Sequence, residues 1–146
     1  MSKAESADLI LKLYELRREP TMREARNWMI TFFPESAADI MQAMISQETS
    51  AYYRMVTSYW DMAASLVNHE AIDEEMFTSA NGEHFIVFSK IEPYLAELRE
   101  MVGSPKMFLN LETLVMKMPD AKEMLAGRRE MMKRMAAARK EMAKNA

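Results

Sequence analysis

No cysteine occurs anywhere in the 146 residues. That absence excludes a disulfide framework, a thiolate metal site and a cysteine nucleophile. Glycine is nearly as scarce, with three in the chain, too few for a phosphate-cradling loop or a dinucleotide-binding turn. Five prolines add little further turn chemistry, as expected when a few long elements are joined by short loops. No stretch approaches the ~20 apolar residues that cross a bilayer. The N-terminal run MSKAESADLILKLYELRREP is broken by Lys12 and Glu15, unlike the uninterrupted apolar core of a signal peptide. A cytoplasmic protein without a membrane span is the expectation.

What the chain does contain is helical pattern. Apolar residues make up 49% and charged residues 28%, the balance of a folded domain. Leu9, Leu13 and Leu16 share one stripe over roughly residues 4–19. Thr21 and Glu24 have capping-box spacing after Pro20, and Ser36 is the next cap. A longer helix from Thr49 to about His69 turns Tyr52, Met55, Val56, Tyr59, Met62, Ala63 and Leu66 inward, with Tyr53 pointing elsewhere. Asn81-Gly82 is the strongest breaker, here between helices. His84, Phe88, Ile91, Leu95, Leu98 and Val102 then recur at alternating spacings of four and three. Pro93 lies within that stripe and removes the bond to the Ser89 carbonyl, so a kink is expected there. Gly103 suits a helix end and Ser104-Pro105 a restart. The reading is an all-α fold: a single-domain bundle of six or seven helices, with a body over 1–119 and a long amphipathic C-terminal helix over 120–146.

Catalytic and metal signatures are missing from this pattern. His69 and His84 lie beside carboxylates, but a helical di-metal site needs Glu-x-x-His spacing, and positions 66 and 81 are Leu and Asn. The acidic run Asp73-Glu74-Glu75 reads as a solvated helix start. His84 falls on the apolar stripe and reads as a core histidine with its hydrogen bonds satisfied. Serines are plentiful, yet none sits in a Gly-x-Ser-x-Gly turn. No catalytic residue, cofactor or metal ligand is therefore assigned, and an enzyme ranks behind the binding readings. The aromatic segment AYYRMVTSYW suggests core packing first. As the alternative to an interaction module, it suggests a small-molecule or regulatory pocket formed by Tyr52, Tyr59, Trp60, His84 and Phe88.

Methionine is the outlier, at 17 residues. Met suits irregular gaps and adaptable binding surfaces, and most of these share stripes with Leu and Phe. The tail RREMMKRMAAARKEMAKNA differs. At about 100° per residue, Met131, Met135, Ala138 and Met142 lie within about 40° of Met124. Leu125, Met132, Ala136 and Ala143 widen the arc to one side. Arg128 and Arg139 interrupt the arc on nearly one bearing, either snorkelling or meeting carboxylates on the covered surface. From Lys117 onward nine basic residues face four acidic ones, a net +5, which leaves −8 over residues 1–116.

Thioethers suit copper(I), but no mixed His/Cys/Met cluster accompanies them. Nucleic acid is disfavoured because the tail offers no aromatic residue to stack on bases, and a membrane surface because the apolar face is mostly Met and Ala. The favoured reading is a protein partner, above all self-association, through Met124, Arg128, Met131, Met135, Arg139 and Met142.

The stretches LYELRREPTMREARNW, FSKIEPYLAELREMVGSP and FLNLETL resemble a family of uncharacterised bacterial helical proteins. The resemblance covers most of the chain and implies an all-α fold and a bacterial source. It carries no activity or functional residue, and the Met-rich extension has no counterpart in it.

Overall fold

Short polar side chains start three of the helices. In the computed structural model, which describes residues 2–146, Ser2 accepts from the Glu5 amide while Glu5 accepts from the Ser2 amide, both at 3.1 Å. This capping box opens α1, Lys3–Leu16. Ser36 caps α3, Ala37–Ile45, through the Asp39 amide, as its position predicts. Asp73 caps α5, Glu74–Ala80, through the Met76 amide. Between α1 and α3 lies α2, Pro20–Thr31, whose start differs from the expected Thr21–Glu24 box. Glu19 accepts from the Thr21 and Met22 amides at 3.1 and 2.9 Å. Pro20 occupies the first helical position, where its missing N–H costs nothing. Thr21 is thus already inside the helix.

The remaining helices are α4 (Ser50–Asn68), α6 (Glu83–Ile91), α7 (Leu95–Val102), α8 (Leu109–Val115) and α9 (Ala121–Lys144). No strand occurs among the described residues. A 3-10 turn, Glu92–Tyr94, joins α6 to α7 at Pro93, so the nine α-helical segments among the described residues form eight rods, one or two more than expected. Gly103 ends α7 at φ 72, a conformation that favours glycine. The helix restart expected at Ser104-Pro105 is displaced, and α8 begins only at Leu109, after Phe108 at φ 55. Arg99 explains the delay. Its Nε and Nη2 both donate to the Met107 carbonyl, at 3.0 and 2.8 Å, and hold that oxygen out of a helical ladder.

Helix α4 is the centre, packed by α2, α3 and α8. Its inward face is rotated from the expected one. Tyr53, Trp60, Ala64 and Val67 are buried, whereas Met62 is exposed and Tyr52 half-buried. The Tyr53 ring meets the Phe108 ring edge-on at 6.4 Å, a contact made by a distant loop that helical spacing cannot reveal. Phe77, Phe88, Leu98, Leu111 and Leu125 complete the core with Trp60. Val102, at the end of the predicted stripe, is exposed. Among the described residues no helix is long and apolar enough to cross a membrane.

Candidate functional site

Helix α9 is held at one end. Its seat begins with Pro93, which lacks the N–H that would bond to the Ser89 carbonyl. Ser89 is fully buried, and a buried carbonyl without a donor costs about 1–3 kcal/mol. Arg129 of α9 fills that vacancy, its Nη1 donating to the Ser89 oxygen at 2.7 Å. Ala121, Leu125 and Met132 are buried on the same side, and Arg128 lies over the Phe85 ring at 5.3 Å. The kink in one helix thus forms the socket for another.

Beneath this seat lies a polar hub. Glu83, at the start of α6, accepts from Arg26 Nε and Nη2 at about 3 Å and from Trp60 Nε1 at 2.9 Å. The carboxylate raises the Arg26 guanidinium further above its usual range through those hydrogen bonds. Arg17 spans from the Trp60 ring to Asn81, donating to its side-chain oxygen at 2.8 Å. One carboxylate therefore ties α2, α4 and α6 together.

His84, the next residue, is 1% exposed, yet neither ring nitrogen has a hydrogen-bond partner. The expected satisfied core histidine is thus buried but unsatisfied. Its ring packs among Phe85, Phe77 and Trp60 at 4.1, 5.1 and 5.8 Å. Burial, aided by the Arg128 charge, pulls it down to about 4.

Three of the five residues expected to form a pocket, Trp60, His84 and Phe88, are buried, none more than 1% exposed. Their aromatic faces fill one another's space. Tyr52 is half-buried, its hydroxyl donating to Glu24 at 3.1 Å. Tyr59 alone borders an open volume, a groove of about 790 Å³ between α1, α2 and α4, lined by Lys12, Glu15, Leu16, Glu19, Met22, Met55 and Ser58 as well. Its hydroxyl donates to the Leu13 carbonyl.

The stripe centred on Met124 is not the side by which α9 packs. Met124 and Arg128 are partly covered, but Met131, Met135 and Met142 are 39, 43 and 73% exposed. Arg139 is exposed, and from Ala137 onward no side chain is buried. The body takes the neighbouring edge, Leu125 and Met132, because Arg129 must reach Ser89 from that bearing. Spacing could show the arc, and Pro93 could show an orphaned carbonyl. Neither could show that Arg129 would meet it, nor that Glu83 would gather Arg26 and Trp60. Among the described residues no three His, Asp or Glu side chains converge in a way that could hold a metal ion.

The fold and this seat define an all-α domain carrying a C-terminal helix that its body only half covers. The chain belongs to the family described as a domain of unknown function (DUF4760), which matches residues 3–118. The match therefore covers the body with Glu83 and His84 and stops short of α9. No curated protein and no solved structure matches the chain.

Proposed function

We propose that this chain is a non-catalytic interaction module that self-associates through the projecting half of α9. The observation that carries the reading is the row Met131, Met135 and Met142, exposed on a helix whose root is clamped by Leu125 and Arg129. A rigid root presents the apolar face without the ordering cost of a loose tail. The occupant favoured by charge is a second copy, since a tail of net +5 meets a body of net −8. The groove between α1, α2 and α4 suits it. Leu16, Met22 and Met55 supply apolar walls, and Glu15 and Glu19 offer carboxylates that suit Lys140 in the projecting half of the incoming helix.

Light scattering coupled to size exclusion tests this on the full chain and on a chain ending at Ala136. The full chain runs above monomer mass at tens of micromolar, and the shortened chain runs as monomer with unchanged thermal stability. Leu16→Glu, at a position 59% exposed, gives the monomer as well. A full chain that stays monomeric at all concentrations overturns the proposal.

A further inference from the structure

We propose that the seam between α6 and α9 is a binding site for a small oxyanion, a phosphate or carboxylate group, held by Lys90, Arg129 and Lys133. These three cations line a cavity of about 90 Å³ together with Phe33, Pro34 and Tyr94, and no carboxylate lines it.

Lys90 is 4% exposed. Its ammonium donates to the carbonyls of Ile30 and Phe32, where α2 ends, and sits over the Phe33 ring at 4.3 Å. Capping these carbonyls uses two of its three N–H donors. Arg129 spends one of five N–H donors on Ser89. Neither residue forms an ion pair among the described residues. Lys133 has only the exposed Glu130 at 3.7 Å. Structural capping therefore accounts for the positions of Lys90 and Arg129 but leaves donors and positive charge uncompensated on a partly enclosed volume. Lys90 is buried, Arg129 half-buried and Lys133 exposed at the rim; holding like charges side by side without a counter-ion is unfavourable, and an anion between them offsets that repulsion. Arg supplies the planar fork that oxyanions favour. The cavity has room for roughly three waters, which fits one oxyanion group and is far too small for a nucleotide. The site is independent of self-association, because it uses the clamped root of α9 and not its projecting half.

The test is titration of the full chain with inorganic phosphate, acetate and glycerol phosphate, with chloride holding ionic strength constant. Melting temperature and nitrogen-15 NMR shifts are the readouts. At least one of the three anions gives saturable shifts of the Arg129 side-chain Nε–H and the neighbouring Phe33 and Tyr94 amides, with a rise in melting temperature. Glycerol phosphate binding within a few fold of phosphate identifies the terminal group of a larger molecule as the ligand. Binding of the simple ions alone identifies a free anion. Arg129→Met weakens binding at least tenfold and Lys133→Met severalfold, while Lys140→Met in the projecting half leaves it unchanged. If Arg129→Met fails to fold, Lys133→Met and the shifts in the unaltered chain still decide. Absence of saturable shifts with all three anions, or equal weakening by Lys140→Met and Lys133→Met, overturns the proposal.

Discussion

Acid should unfold this protein partly through one residue, and His84→Leu isolates the effect. His84 is 1% exposed and its two ring nitrogens lack partners, so the folded state accepts a proton there only near pH 4. In the unfolded chain an imidazole titrates near its ordinary value of 6.5. Above that value neither state is protonated and His84 adds no pH dependence. As pH falls below 6.5 the unfolded state binds a proton that the folded state refuses, and stability declines until the folded site titrates near 4. At about 1.4 kcal/mol per pH unit, the full loss is about 3 kcal/mol. Leucine at this position removes the titration and replaces an unsatisfied polar ring with an apolar side chain, so at pH 7 stability stays within about 1.5 kcal/mol of the parent. The assay is urea denaturation of both chains from pH 7.5 to 3.5, taking the difference between them. His69 and every carboxylate are common to both and cancel. Parallel stability curves, with no growing gap below pH 6.5, would refute the reasoning and mean that the buried ring finds a partner or is not buried.

Glu83→Ala leaves the Arg26 guanidinium and the Trp60 indole N–H without their shared acceptor. It should cost about 2–3 kcal/mol in denaturant unfolding, with Glu83→Gln costing less because one acceptor oxygen survives. Leu125→Ala, at a fully buried position on the root of α9, should cost about 2–5 kcal/mol. Met142→Ala, 73% exposed, should change monomer stability by under about 0.5 kcal/mol. Equal costs at these two positions would mean that the distal half of α9 is packed on its own body.

Helix positions were largely legible because their signals are local. Ser36 caps where it should, Gly103 takes the left-handed conformation that ends α7, and Pro93 breaks the α6–α7 rod. The misreadings also have particular causes. Pro20 starts α2 two residues early, leaving capping to Glu19, a local alternative that the Thr21–Glu24 spacing masked. Arg99 delays α8 by reaching eight residues along the chain to Met107, and Phe108 turns Tyr53 inward from the opposite side of α4. The five residues Tyr52, Tyr59, Trp60, His84 and Phe88 show the same limit of spacing: Trp60, His84 and Phe88 are buried while Tyr59 borders the groove, and whether rings enclose space or fill it depends on how they interlock.

What the sequence determined by itself is the all-α class, the kink at Pro93 and the amphipathic character of residues 121–144, because each follows from backbone chemistry or a 3.6-residue period. The tertiary structure alone decided which edge of that amphipathic helix the body covers. Arg129 finds the Ser89 carbonyl that Pro93 leaves open, Leu125 and Met132 follow it into the interior, and Met131, Met135 and Met142 are left facing outward. Pairing a donor on one helix with an orphaned acceptor forty residues earlier is a property of the packed chain, and no local periodicity encodes it.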